Sequence, residues 1–205
     1  MLDQEAVLRR YAQVAEDAHA ALTELDQRSG DGDFGDNLRG GLRDGVRRFD
    51  EGGVSAFGAL GEVFLDEVGG TSGPLLGLLF TEIARALDSS TESSTDSGAD
   101  FGAGAAAGLA AIQRVGEAQV GDRTLVDALS PAVDAFAAGE GLVGAAAAAK
   151  AGADRTAELR ARMGRASYVG DRAKGEPDPG AVGIALLFWA AATVSDPDAA
   201  VDKPL

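Results

Sequence analysis

Apolar side chains along this chain recur at spacings of three and four residues, the period of one face of an α-helix. In the first segment this spacing is carried by Val7, Tyr11, Val14, Ala18, Leu22 and Leu25. The same pattern predicts further helices at 38–49, 54–68, 75–87, 101–115, from after Asp122 (as N-cap) to about 138, at 142–163 and at 181–194. No segment has a convincing strand pattern. We therefore predict an all-α protein with eight helices.

Connections of ordinary length between these helices predict an antiparallel, up-and-down bundle. In that topology the first, third, fifth and seventh links lie at the same end. These four links have the unusual sequences DQRSGDGDFGDN, GGTSGP, GEAQVGDRT and GRASYVGDRAKGEPDPG. The other links are a Gly-Gly turn, a polar Ser/Thr loop at 88–100 and a Gly-Glu-Gly turn. We expect one composite site at the end where the unusual links meet.

Composition narrows the function classes. Aromatic residues make up only 5% of the 205 residues, which favours closely packed helices over sheets. The formal charge of −15 makes nucleic acid an unfavourable partner, because phosphate repulsion dominates any approach. The chain has no cysteine, which excludes disulfides and thiolate metal sites.

Targeting signals are not expected. The first ten residues, MLDQEAVLRR, are charged and do not resemble a signal peptide. The longest apolar run, 180–192, is shorter than the roughly 20 residues that span a bilayer, so it predicts a buried helix and no membrane partner. We expect a cytoplasmic protein with a single domain over 1–195 and a loose tail over 196–205.

The first link concentrates acidic residues. Four aspartates and three glycines fall within 26–37, and the carboxylates of Asp26, Asp31 and Asp33 should repel one another. A hard divalent cation with oxygen ligands would hold them together. The segment is not an EF-hand, since position 12 counted from Asp31 is Leu42. A turn with solvated carboxylates is the alternative.

Helices two, four, six and eight would begin at the same end, with their free N–H groups and positive dipole ends directed at the shared site. These helix starts, the glycines in the links and the cation at Arg165 are features that bind a polyphosphate. Because the aspartates of the first link can hold Mg²⁺, the combination indicates a magnesium nucleotide. Each element also has a purely structural explanation: GGTSGP as a helix stop and start, Asp-Pro-Gly as an N-cap, and Arg165 as a C-terminal helix cation. No P-loop is present, because the glycine spacing at 116–121 is followed by Asp-Arg.

The segments LDQRSGDGDFGDN, GGTSGP, GDRTLVDAL, GRASYVGDR and DPGA occur in this order. Together they resemble the nucleotide-binding L subunit of dihydroxyacetone kinase, a domain that also forms the C-terminal half of single-chain, ATP-dependent dihydroxyacetone kinases. The resemblance covers most of the chain and implies an antiparallel eight-helix barrel. This chain departs from the family pattern at Phe34, where the family has histidine. The resemblance places the metal ligands, for two Mg²⁺ ions, at Asp26, Asp31 and Asp33, and the contacts to ADP or ATP at Phe34, Gly35, Asp36, Asn37, Thr71, Ser72, Gly116, Leu125, Arg165, Asp178, Pro179 and Gly180.

The resemblance also implies a divided reaction. A separate K-type subunit would hold a small hydroxyketone, while this chain presents the phosphoryl donor, with Asp26, Asp31, Asp33 and Arg165 as its catalytic residues. The donor is either ATP or a tightly held ADP that a phosphocarrier protein recharges. Two other classes stay open: a nucleotide-sensing regulatory subunit without catalysis, and a plain helical scaffold. A homodimer also stays open, since the sequence does not fix the oligomeric state.

Overall fold

The structure is a computed structural model that describes residues 2–89 and 97–205. Within these residues the chain forms helices and no strand. The α-helices are α1 (Gln4–Ser29), α2 (Phe34–Asp50), α3 (Ala56–Asp66), α4 (Ser72–Asp88), α5 (Ser97–Gly116), α6 (Val126–Ala137), α7 (Gly141–Arg155), α8 (Ala166–Val169) and α9 (Pro179–Ser195). The prediction of an all-α protein is confirmed, with α8 as a short addition to the eight long helices.

The long helices close into a ring. Each of them contacts the next along the chain, α7 contacts α9, and α9 returns to contact α1. Helix α9 also contacts α2 and α6, and its Phe188 lies edge-on to Phe101 of α5 with ring centroids 5.6 Å apart. These contacts explain why α9 is apolar on all sides, and they give the up-and-down barrel that the sequence predicts.

Glycines allow neighbouring helices to approach to backbone contact. A Cβ on Gly152 of α7 would lie 2.3 Å from the Asp127 carbonyl oxygen and 3.0 Å from Ala128 Cα, both on α6. Any side chain at position 152 would therefore force the two helices to shift apart. The larger core side chains form an aromatic cluster at the centre of the ring, where Phe64 and Phe80 lie edge to face at 5.0 Å.

Two predicted helix boundaries are wrong. The seventh helix ends at Arg155, and not at 163, because Thr156 is buried and its Oγ1 accepts a hydrogen bond from Asp178 N at 2.7 Å. This contact turns the chain towards the start of α9. Asp122 is not an N-cap: its carboxylate accepts from Gln119 N at 2.8 Å, and α6 begins only at Val126.

Other boundaries shift by a few residues. Helices α2, α4 and α5 begin at Phe34, Ser72 and Ser97, three or four positions before the apolar pattern starts, because a first helical turn tolerates glycine and polar residues. The predicted polar loop at 88–100 falls partly on residues 90–96, which lie outside the described residues.

The C-terminal residues contact the barrel. Trp189 Nε1 of α9 donates to the Val201 carbonyl at 3.1 Å, and the Arg10 guanidinium lies 4.6 Å from the centroid of the same indole. The division into a domain at 1–195 and a loose tail stays a prediction. In the part of the chain that the structure describes, no helix is both long and apolar enough to cross a membrane.

Asp178 sets the start of α9. Its side chain is the N-cap and accepts from Ala181 N at 2.9 Å, with Pro179 in the first helical position. The side chain is only 12% exposed, and its nearest cation is Arg123, with Nη1 at 3.8 Å from Oδ1. Burial raises the pKa of Asp178 to about 6, against the opposing effects of the Ala181 N–H and Arg123.

The contact between Gly152 and the α6 backbone can be tested with a matched pair of variants. Gly152→Ala should lower the free energy of unfolding by about 1–3 kcal/mol, because the added methyl group meets the α6 backbone. Gly40→Ala on α2 has open space around it and should raise the free energy of unfolding by about 0.5–1 kcal/mol. Urea unfolding of both variants tests this, and equal effects would contradict the packing argument.

The raised pKa of Asp178 predicts a pH-dependent stability difference. The folded chain binds this proton more tightly than the unfolded chain, so the contribution is full below the ordinary value of 3.8 and is lost as pH rises through about 6. Asp178→Asn keeps an N-cap but does not titrate. Its free energy of unfolding relative to the original chain should therefore rise by about 3 kcal/mol between acid and neutral pH. Chemical denaturation across this range measures the difference, and a flat profile would count against it.

Candidate functional site

The four unusual links meet around one cavity of about 220 Å³ at one end of the ring. Most of the residues predicted from the sequence line it. They are Asp26, Asp31, Asp33, Phe34, Asn37, Thr71, Ser72, Gly116, Leu125, Arg165, Asp178, Pro179 and Gly180. The expectation that these links share one end of the bundle therefore agrees with their positions in the structure.

Gly35 and Asp36 do not line the cavity, and nucleotide contacts by this pair stay a prediction. Gly35 lies against α1, where a Cβ would be 2.3 Å from Thr23 Oγ1. The Asp36 carboxylate faces outwards and accepts from His19 Nε2 at 2.8 Å and Arg39 Nη2 at 2.9 Å. The hydrogen bond from His19 holds the pKa of Asp36 below its ordinary value. Gly35 and Asp36 face away from the cavity because successive residues on a helix such as α2 point in different directions.

Four long helices begin at the cavity wall: α2 at Phe34, α4 at Ser72, α6 at Val126 and α9 at Pro179. The residues that precede α2, α4 and α6 are Asp33, Thr71 and Leu125, and none of their side chains caps the first N–H groups. Backbone donors and positive dipole ends are thus directed towards one space, an arrangement suited to an anion.

Three carboxylates from the first link lie in the same wall. Asp26 Oδ2 accepts from Phe34 N at 3.0 Å, and Asp31 forms an ion pair with Arg165. The Asp33 side chain makes neither a cap nor, within the described residues, any other hydrogen bond or ion pair. Asp33 is therefore the carboxylate with the most free acceptor capacity at the site.

Residues 2–89 and 97–205 contain no group of three acidic, histidine or cysteine side chains close enough to hold a metal ion by themselves. Magnesium commonly takes only one or two carboxylates and completes its octahedron with water and phosphate oxygens. The all-oxygen donors of Asp26, Asp31 and Asp33 fit such a partial ligand set.

Phe34 occupies the position where the resembling family has histidine. The ring is only 6% exposed and packs on α9, where its Cζ would lie 2.9 Å from a Cβ on Gly183. The backbone N–H of Phe34 still bonds to Asp26. The phenylalanine thus acts as an apolar wall, and the acidic link keeps its anchor to α2.

Arg123 and the apolar part of the wall are not among the residues predicted from the sequence. Arg123 lies in the link between α5 and α6, lines the cavity and has a fully buried side chain. The available signal is an arginine between Gly121 and Thr124 in one of the four site links, where the resemblance places ligand contacts only at Gly116 and Leu125. The missed apolar wall residues are Leu75, Ile112, Ala118, Val126 and Met163.

Several known proteins are similar to this chain in sequence and in fold. The model of the DAK2 domain matches residues 28–193. The ADP-binding subunit DhaL of PEP-dependent dihydroxyacetone kinase 1 from Listeria innocua is 34% identical over 187 residues, which cover 89% of this chain and 91% of that protein. The L-erythrulose 1-kinase of Mycolicibacterium smegmatis is 36% identical over 198 residues, which cover 90% of this chain and 34% of that kinase.

A solved structure has the same fold. The dihydroxyacetone kinase from C. freundii in complex with AMP-PNP and Mg²⁺ superposes with a TM-score of 0.70 at 28% identity, over 92% of this chain and 33% of that one. The chain thus spans about a third of the two larger kinases and nearly all of the Listeria subunit.

The family match covers most of the chain, and the Listeria subunit matches it over almost its whole length. The family predicted from the sequence is confirmed. This chain belongs to the DAK2 domain family.

Proposed function

We propose that this chain is the phosphoryl-donor subunit of a dihydroxyacetone-kinase-type system. It holds a magnesium complex of ADP or ATP in the cavity and passes a phosphoryl group to a small hydroxyketone bound by a separate K-type subunit. The observation that carries the proposal is the convergence of three carboxylates, four helix starts and Arg165 on one cavity. Relatives named as kinases support this function over a purely regulatory subunit.

The phosphates would lie against the helix starts. Backbone N–H groups at the first turns of α2 and α4 would donate to phosphate oxygens, and the side chains of Asn37, Thr71 and Ser72 would add donors. The start of α6 would contribute the positive end of its dipole, since Thr124 Oγ1 already accepts from Val126 N at 3.2 Å. These groups are positioned by rigid helices, so little has to be ordered when the ligand binds. The apolar wall around Leu125 then provides a surface for the base.

Asp26, Asp31 and Asp33 would hold the magnesium between the protein and the phosphates, and two ions are part of the proposal. When bound, magnesium supplies positive charge that stabilises the transferring phosphoryl group. The similar C. freundii kinase was solved in complex with AMP-PNP and Mg²⁺, which supports the same ligand class here.

Arg165 is an exposed cation at the site. Its side chain is 57% exposed at the cavity rim, where it pairs with Asp31. A guanidinium at the rim can follow the charge that develops as the phosphoryl group leaves the cavity for an acceptor outside it. This position therefore supports a catalytic role for Arg165.

The Listeria relative is named as an ADP-binding subunit of a PEP-dependent kinase. This name supports a tightly held ADP that a phosphocarrier protein recharges. ATP as the direct donor is the other form of the proposal. Turnover with each donor in turn, in the presence of a K-type subunit, distinguishes them.

Asp31→Ala should abolish phosphoryl transfer without unfolding the chain, because it removes a cavity carboxylate whose side chain is 38% exposed. The measurement is turnover of dihydroxyacetone with a K-type subunit, alongside circular dichroism for the fold. Full activity of this variant would refute the assignment.

Calorimetry with Mg-ADP tests the cavity itself. The original chain should bind Mg-ADP, and Asp31→Ala should bind it more weakly when magnesium is present. Asp36→Ala is the matched control, because its carboxylate lies on the same link but faces outwards to His19 and Arg39. It should bind like the original chain. No binding by the original chain would leave only the plain helical scaffold.

A further inference from the structure

We propose that Arg123 is a positioning residue for phosphoryl transfer. It ties the segment 163–178, which carries Arg165 and the N-cap of α9, to the link between α5 and α6. In this way it fixes one wall of the cavity relative to another. The inference rests on the proposed function and adds to it a residue that touches neither the acceptor nor its subunit.

The tie is made of two hydrogen bonds across the cavity wall. Arg123 Nη2 donates to the Ala173 carbonyl at 3.0 Å and to the Glu176 carbonyl at 3.1 Å. These carbonyls lie 50 and 53 positions along the chain, in a stretch that contains only α8 and a short 3₁₀ turn. Such a stretch has little internal hydrogen bonding, so its position depends on contacts with its surroundings.

The guanidinium is buried at considerable cost. Its side chain is 0% exposed, and its Nε and Nη1 have no hydrogen-bond partner within the described residues. The nearest carboxylate is Asp178, at 3.8 Å from Nη1. A buried cation with so few partners opposes folding, which a leucine or methionine of similar size would not. A role in the site explains the charge better than a role in stability.

The backbone around Arg123 is built to turn this side chain inwards. Arg123 has a φ of 61°, a left-handed conformation that non-glycine residues rarely adopt. The buried carboxylate of Asp127 holds the turn on both sides, because it accepts from Gly121 N at 2.6 Å and from Thr124 N at 2.8 Å. Strain that neighbouring contacts enforce in this way is typical of functional sites.

The position of the charge also suits a polyphosphate. The cavity wall carries Asp26, Asp31, Asp33 and Asp178, and its only guanidinium groups in the described residues are those of Arg165 and Arg123. Arg165 is exposed and pairs with Asp31, whereas Arg123 is buried beside Asp178 and hydrogen-bonded to the Ala173 carbonyl. Arg123 therefore offsets the acidic wall permanently, and Arg165 remains able to move to the transferring group.

The decisive variants are Arg123→Met and Arg123→Lys, with Arg162→Met as control. Arg162 directly precedes the tied stretch, is 69% exposed and pairs with Asp122 at 3.6 Å, so the control removes the same charge and an exposed ion pair to the same link while both Arg123 hydrogen bonds stay. Arg123→Met should lower kcat with a K-type subunit by on the order of 100-fold, while KM for the acceptor stays unchanged. Arg123→Lys keeps the charge and the donors and should recover much of this loss. Arg162→Met should resemble the original chain.

A double variant separates positioning from general damage. If Arg123 acts through Arg165, adding Arg123→Met to Arg165→Ala should lower kcat by less than about threefold further. Hydrogen–deuterium exchange, which needs no substrate, should show faster exchange over 163–178 in Arg123→Met than in Arg162→Met. If Arg123→Met does not fold, Arg123→Gln, which keeps an amide donor but not the charge, carries both measurements.

Three results would overturn the inference: an Arg123→Met effect no larger than that of Arg162→Met, a full multiplicative loss in the double variant, or unchanged exchange over 163–178. Failure of the original chain to bind Mg-ADP would instead refute the proposed function. The exchange measurement would still decide whether Arg123 ties the two links.

Discussion

Backbone contact between neighbouring helices is the constraint on which the barrel depends. A Cβ on Gly104 of α5 would lie 2.6 Å from Ile83 Cα of α4, and one on Gly108 would lie 3.0 Å from Leu79 Cα. Gly152 makes the same kind of contact between α7 and α6. Because glycine sets these spacings, the ring is narrow, and the links at one end come close enough to line a single cavity.

Negative charge concentrates at this end, and the architecture compensates for it in several ways. Helix starts provide aligned N–H groups, Arg165 pairs with Asp31, and Arg123 is buried beside Asp178. Without these groups a diphosphate could not enter a wall of carboxylates in a chain whose formal charge is −15. The carboxylates can contribute to binding a phosphate only if a cation lies between them and the ligand. The carboxylate-lined cavity therefore agrees with the family, in which a relative was solved with Mg²⁺ and a nucleotide analogue.

The same barrel matches a stand-alone Listeria subunit over nearly its whole length and larger kinases over about a third of theirs. Donor and acceptor sites on separate units would allow one donor barrel to serve different acceptors, as the names dihydroxyacetone kinase and erythrulose kinase indicate for its relatives. The substitution at Phe34 is compatible with this view, because its ring packs on α9 while its N–H keeps the bond to Asp26.

The sequence by itself determined the long helices and the meeting of four links, since apolar periodicity defines helices and alternate links of antiparallel helices share an end. Through the resemblance to a known family it also identified about half of the residues that line the cavity. Only the tertiary structure decided that α7 stops at Arg155, that Asp36 faces outwards and that Arg123 is buried. Each of these depends on a partner elsewhere in the chain, such as Asp178 for Thr156 or Ala173 for Arg123, and no local pattern encodes a contact between residues so far apart.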